Sequence, residues 1–331
     1  MTPWATWSKL ASELIGEPEL TASDIAVEAR VGNEELRRLW QALGFPPVPA
    51  GERIFTRSDV AMLQCVRALV ERQGTEADVV IQLTRVTGQA LARIAEAQIA
   101  ASADRLAALP GAGVADDPPA EALVARVSVL ASSLEPLLGH VWRRHLLAAL
   151  LRFAATAEDH AGDAGTLAVG FVDLVGFTAF SQQLSQRELA AMVDRFEAVA
   201  YAHIPEHGGR VVKTIGDEVM FAVESAPAAA EIALAMVEAY AADATLPDVR
   251  VGLAKGPTLS WEGDLFGPTV NLASRLVNLA RPRSVLLSAE LADELEGRFV
   301  LRHLRPLRLH GIGRVRVSVL RRDQGTPPRG G

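Results

Sequence analysis

A single cysteine, Cys65, stands in the 331-residue chain, so no intramolecular disulfide and no cysteine-built zinc cluster can form, and a reducing interior suits the protein. An excess of positive charge is missing too. The formal balance is −7 with a pI near 5.6, which argues against a protein whose main partner is nucleic-acid backbone. Residues 1–20 lack a basic start followed by an apolar core and carry Glu13, Glu17 and Glu19 instead, so no secretory signal and a cytoplasmic location are expected. Long apolar runs are scarce: the most apolar helical one, Leu146 to Ala157, holds Arg152 and is too short to span a bilayer, so no transmembrane segment is expected. What is present is a globular composition, 49% hydrophobic and 22% charged, in a chain long enough for two domains.

The first half reads as all-helical. From Leu20 to Glu71 apolar residues recur at helical spacing behind the start signal Thr21-Ala22-Ser23-Asp24; Phe45-Pro46-Pro47 ends one block, and Phe55-Thr56-Arg57-Ser58-Asp59 opens the next helix. This order resembles the helix-turn-helix part of MerR-type regulators, which implies a DNA reader. The charges do not favour it: residues 21–75 hold seven Lys or Arg against seven Asp or Glu, and DNA affinity rests on uncompensated cations. An inherited helical scaffold for intramolecular contacts fits better, and no nucleic-acid partner is expected. Ala77 to Leu109 is a further Ala-rich helix, broken at Pro110-Gly111 and Asp116-Asp117-Pro118-Pro119. The apolar load of this half could bury a small lipid or another helix, although Leu and Ala stripes are ordinarily core.

Pro119 to Asp159 reads as one or two long helices, followed by a hinge through Gly165. Three of the seven histidines, His140, His145 and His160, lie in this connector. Either they are solvated helix-face residues, or their protonation near neutrality shifts how the helical half docks on the other. The expected domains are therefore 1–118 (helical, regulatory), 119–164 (connector and hinge), 165–322 (catalytic) and a flexible tail, 323–331.

The second half carries the chemistry. Val211 to Phe221 reads as two apolar half-strands pinched at Ile215-Gly216-Asp217, a hairpin that presents Lys213 and Asp217 at its tip. A bare Gly-Asp-Glu can also be a solvated turn. Upstream, Leu167 to Thr178 is an apolar strand ending in Asp173, then a glycine loop and a helix start. No cation neighbours Asp173 in sequence, and burying a lone carboxylate is costly. A metal ion would supply the missing charge: Asp173 and Asp217, with the loop amides after Asp173, form a candidate site for Mg²⁺ or Mn²⁺ with a polyphosphate.

The order from Gly165 is strand 166–173, helix 178–206, hairpin 210–223, helix 226–243, strand 249–256, helix 267–280, strand 284–288, short helix 289–296, then strands 299–309 and 314–321. Two β-α-β units split around a hairpin predict a ferredoxin-like or palm arrangement, an antiparallel sheet with helices on one face, and an α+β chain overall. On the helix beginning near Gly267, Asn271 and Arg275 are four apart and share a face away from Leu272 and Leu276. A planar guanidinium beside a carboxamide suits a phosphoryl group next to a hydroxylated sugar, although any single such pair is more often plain surface.

Phe171-Val172-Asp173-Leu174-Val175-Gly176-Phe177-Thr178, Lys213-Thr214-Ile215-Gly216-Asp217 and Asp264 through Arg275 together resemble the catalytic domain of class III nucleotidyl cyclases, over residues 165–322. The resemblance implies two metal ions, Mg²⁺ or Mn²⁺, on Asp173 and Asp217; purine reading by Lys213 and Asp264; and ribose and transition-state contacts from Asn271 and Arg275. It also implies a head-to-tail homodimer, because the family places metal residues and base readers of one site on different chains. Adenine offers an N1 acceptor and an amino donor, which Lys213 and Asp264 match, whereas guanine would meet the wrong partners, so ATP is the expected substrate. Guanylate cyclases of the family carry Glu and Cys there instead.

Two departures stand out. Only Thr258-Leu259-Ser260-Trp261-Glu262-Gly263 separates Pro257 from Asp264, a trimmed dimerisation arm similar to that of the short-armed actinobacterial subgroup. In Leu309-His310-Gly311, His310 stands where the family usually has a phosphate-binding lysine, with Arg308 and Arg314 as alternatives. Together with its helical first half, the chain resembles actinobacterial adenylate cyclases restrained by a helical regulatory domain, which implies release by a cue such as pH or a bound lipid. The Gly216-Asp217-Glu218 turn also resembles that of diguanylate cyclases, but those lack the Asn271/Arg275 helix and the Lys213/Asp264 reader. A DNA-binding regulator with an inactive cyclase-like nucleotide sensor is the remaining alternative, and it demands a lost catalytic residue where none of the six is missing.

Overall fold

The computed structural model describes residues 11–107, 120–159 and 165–322. They fall into two compact units, Met1–Ala154 and Ala155–Gly331.

The first unit is helical. Helices α1 (Ala22–Ala29) and α3 (Arg57–Gln73) start where the sequence signals them, and α2 (Asn33–Ala42) begins after Gly32 without a side-chain cap. Thr21 with Asp24, and Thr56 with Asp59, each form a reciprocal capping box that satisfies two orphan amides. Their apolar stripes meet around Ile25, Ala29, Leu36, Leu39, Phe55 and Leu63. Four arginines of this region are compensated: Arg37 pairs with Glu34, Arg38 with Asp78, Arg57 with Glu19 and Glu28, and Arg67 with Glu71. Helix α4 (Ala77–Ala107) follows.

Helix α5 (Ala120–Asp159) is one helix of 40 residues with Pro136 inside it, roughly 60 Å long at 1.5 Å per residue. The apolar run is thus longer than the sequence pattern indicated: by length and composition Ala122–Ala154 could cross a membrane. Trp142, Leu147, Leu150 and Leu151 lie exposed along it, but so do Arg143, Arg144 and His145, which a bilayer would disfavour.

In the second unit β1 (Thr166–Leu174) is flanked on both sides by antiparallel partners, β3 (Glu218–Val223) and β4 (Val249–Pro257). Adding β2 (Arg210–Ile215), β7 (Val285–Ser288), β8 (Val300–His303) and β11 (Val317–Arg321) gives a seven-stranded sheet in the order β2-β3-β1-β4-β7-β11-β8. The sheet is mixed rather than antiparallel, because β4 and β7 run parallel. Helices cover both faces, not one. On one side α7 (Gln186–Glu206), α8 (Ala226–Ala242) and α10 (Ala289–Leu295) bury Phe196, Ile204, Ile232, Met236 and Leu291 against Val172, Phe221 and Leu253. On the other, α9 (Pro268–Leu279) packs Ala273 and Val277 onto Phe171, Met220 and Ala254.

Three local differences from the pattern have local causes. The expected helix 178–206 is split into α6 (Phe177–Ser181) and α7, because Ser185 and Glu188 form a capping box that starts a new helix. The expected strand 299–309 stops at His303, before Pro306, and resumes as β9 (Leu307–Leu309), which pairs with β10 (Gly313–Val315) in a separate hairpin. The trimmed arm is itself a hairpin of β5 (Leu259–Trp261) and β6 (Asp264–Phe266).

Candidate active site

Strand alternation decides which side chains meet. Phe171 of β1 and Met220 of β3 face α9, so Asp173 and Glu218, two residues away on each strand and directly opposite one another, face the same way. On the other flank of β1, Arg250 opens β4 opposite Asp173, and its Nε donates to Asp173 Oδ2 at 2.6 Å. The same guanidinium donates to the Asn278 carbonyl at the end of α9, at 3.1 Å. The Leu174 amide donates to the Asp217 carbonyl at 3.1 Å, tying the β2–β3 turn to the end of β1.

Asp173 therefore has a cation after all. The expectation of a carboxylate without a cationic neighbour is corrected: Arg250, 77 residues away in sequence, pairs with it. Even so, burial holds the Asp173 carboxyl above the usual range against the pull of Arg250, and Asp217 adds to that rise. Burial, then the charges of Asp173 and Asp217, push Glu218 up to about 7. This corner carries more negative charge than Arg250 and Lys213 offset, the condition under which a hard cation is drawn in. Among the described residues no three His, Cys, Asp or Glu converge as a ligand set. Two carboxylates completed by water and substrate phosphates fit Mg²⁺ or Mn²⁺ better than an all-protein cage would.

Lys213 of β2 and Asp264 of β6 form an ion pair, and the Leu265 amide donates to the second Asp264 oxygen at 2.7 Å. A fixed donor thus lies beside a fixed acceptor, both half-buried. Asn271 and Arg275 share the exposed side of α9, while Ala273, Leu276 and Val277 on its other side are buried. That helix can lie directly on β4 because Gly252 has no side chain: a Cβ there would stand 2.2 Å from the Val277 nitrogen.

His310 is exposed in the β9–β10 turn, outside the seven-stranded sheet, and has no hydrogen bond or ion pair among the described residues. Arg308 and Arg314 sit opposite each other across the same hairpin. His140 and His145 are exposed on α5, and His160 lies outside the described residues. Arg250 and Glu218 had no role in the sequence reading. Glu218 was visible beside Asp217, but Arg250 becomes a neighbour of Asp173 only through strand pairing.

Two family descriptions match. The Adenylate and Guanylate cyclase catalytic domain spans residues 160–321, and the Adenylate cyclase regulatory domain spans residues 8–155. The chain is similar to an adenylate cyclase of Streptomyces coelicolor, 39% identical over 84% of this chain and 72% of the relative. It belongs to the adenylate cyclases. An adenylate cyclase of Glutamicibacter nicotianae is 35% identical over 97% of this chain and 83% of its own. A pH-sensitive adenylate cyclase of Mycobacterium tuberculosis is 30% identical over 94% and 80%. This adenylate cyclase thus pairs a helical regulatory domain with an α+β catalytic domain, and its two compact units divide next to where one family match ends and the other begins.

Proposed function

We propose that the enzyme turns ATP into 3′,5′-cyclic AMP and pyrophosphate at sites shared by two copies arranged head to tail. The observation that carries the substrate is the Lys213–Asp264 pair. Lys213 donates to adenine N1 and Asp264 accepts from the exocyclic amino group, a match that guanine reverses. Asn271 orients the ribose and Arg275 meets the charge that grows on the α-phosphate, a contact worth about 3 kcal/mol by analogy with oxyanion donors. Two Mg²⁺ or Mn²⁺ ions held by Asp173 and Asp217 would supply Lewis acidity to the 3′-hydroxyl and charge neutralisation to the leaving pyrophosphate. His310, Arg308 and Arg314 form a cationic hairpin suited to the terminal phosphates.

The homodimer reading draws support from the exposed apolar side chains Trp142, Leu147, Leu150 and Leu151 of α5, whose cover by a second copy would remove them from water. The regulatory family match runs through α5 to residue 155, which favours a protein-covered helix over a membrane span. Regulation by pH would act through His140, His145 or His160, and is encouraged by the pH-sensitive relative. A small lipid has a candidate site in a cavity of about 270 Å³ lined by Leu36, Trp40, Val48 and Phe55. The paired arginines of α2 and α3 weigh against the alternative of a DNA-binding regulator.

The test is purified protein with ATP or GTP and Mn²⁺ from mildly acidic to mildly basic pH. Cyclic AMP from ATP, abolished by Asp217→Ala, is expected; no product even after removal of residues 1–160 would favour a nucleotide-sensing regulator. If the regulatory domain restrains the enzyme, that removal raises turnover, and an unchanged rate rejects restraint.

A further inference from the structure

The β5–β6 hairpin has two sides. Leu265 on one side is buried against α9, whereas Leu259, Trp261 and Phe266 on the other are 59%, 52% and 46% exposed. Trp261 is the direct cross-strand partner of Asp264. Directly opposed residues project from the same side of a hairpin with Cβ atoms roughly 5 Å apart, so the indole stands beside the carboxylate that Lys213 holds. The two loop residues between them, Glu262 and Gly263, have φ of 53° and 80°, the positive values a two-residue hairpin loop needs, which fixes the pairing of Trp261 with Asp264.

A half-exposed indole next to a donor–acceptor pair matches the two requirements of a flat heteroaromatic ring: edge hydrogen bonds and a face to stack on. Lys213 and Asp264 offer the edge contacts but no aromatic face. We propose that Trp261 is a substrate-binding residue whose indole stacks on the purine face of the nucleotide that Lys213 and Asp264 read. The inference rests on the adenylate cyclase site assigned above and adds a contact that discriminates bases from other groups but is indifferent to which purine is bound. It gives the trimmed arm a second use: six residues suffice to turn one aromatic side chain into the base site.

Trp261 is also the single tryptophan of the catalytic unit, since the other four are Trp4, Trp7, Trp40 and Trp142. Binding can therefore be read by fluorescence independently of turnover. In the full-length protein, ATP should quench tryptophan emission in wild type and leave Trp261→Phe unquenched. Trp261→Ala should raise KM for ATP roughly tenfold, the scale of one base stack, with kcat within about twofold, and Trp261→Phe should recover most of the loss. Should Trp261→Ala fold poorly, Trp261→Leu carries the same comparison. Unchanged KM and quenching with cyclic AMP still produced overturns the stacking and leaves the site reading intact. A fall in kcat with loss of dimer by sedimentation overturns it differently, by making this side of the hairpin a contact between copies. Absence of cyclic AMP from wild type rejects the site reading instead, and quenching by ATP lost in Trp261→Phe would then still uphold the stacking.

Discussion

Arg250 and Asp173 meet across the first residues of β4 and the last of β1, with 2.6 Å between guanidinium nitrogen and carboxylate oxygen. The carboxylate proposed to bind metal thus has a cationic partner within its own chain, and the same arginine reaches the end of the helix that bears Asn271 and Arg275. Arg250→Ala strands Asp173 as a poorly solvated anion. We expect a loss of about 2–3 kcal/mol in urea unfolding, below the range for fully buried pairs because Arg250 is partly exposed, with Arg250→Lys intermediate. Stability equal to wild type would remove the pair from the structural account.

The carboxylate corner makes stability depend on pH. Glu218, raised to about 7 in the folded state, binds its proton more tightly folded than unfolded, so its contribution is full below about pH 4.5 and is lost as pH rises through 7. Metal-free protein should therefore melt at a lower temperature at pH 8 than at pH 5.5 by an amount that Glu218→Gln reduces. Mg²⁺ or Mn²⁺ should restore much of the loss at pH 8. A melting temperature independent of pH and of added cation contradicts this.

Gly252 sets how closely α9 approaches the sheet. An added methyl would lie 2.2 Å from the Val277 nitrogen and 2.5 Å from the Ala273 oxygen, so Gly252→Ala must lift the helix. Overpacking of this kind costs about 2–3 kcal/mol, and the displaced Asn271 and Arg275 should lower kcat more than they raise KM. Calorimetry and steady-state kinetics on one variant check both halves.

Base selection should fail in a defined direction. Asp264→Ala removes the acceptor for the adenine amino group and releases Lys213 from its partner. The preference for ATP over GTP, measured as a ratio of kcat/KM, should drop roughly tenfold to a hundredfold. A preserved ratio would mean that another residue reads the base.

His310 offers a simpler measurement. If it contacts the triphosphate, His310→Ala should raise KM for ATP and His310→Lys should keep it near the wild-type value. Equal KM in His310→Ala and wild type removes it from the phosphate site.

Much of this was legible in one dimension because its causes are local. Thr21 with Asp24 and Thr56 with Asp59 are three residues apart, and both capping boxes form as spaced. The hairpin tip at Gly216-Asp217, the strand ending in Asp173 and the helical face shared by Asn271 and Arg275 depend only on strand and helix periods, which neighbouring residues set. The motifs and their spacing also identified the family before any coordinate was needed. Sequence distance hid the rest. Nothing near Asp173 announces Arg250, 77 residues on; the motifs name Lys213 and Asp264 together, but their direct contact across 51 residues exists only because separate elements are brought side by side. The parallel pairing of β4 with β7 and the seat of α9 on the second face arise the same way, whereas Trp261 meets Asp264 through a local turn and only Lys213 comes to them from a distance. Local periodicity states which side of an element is apolar, but which elements share a side follows from the packing of the whole sheet.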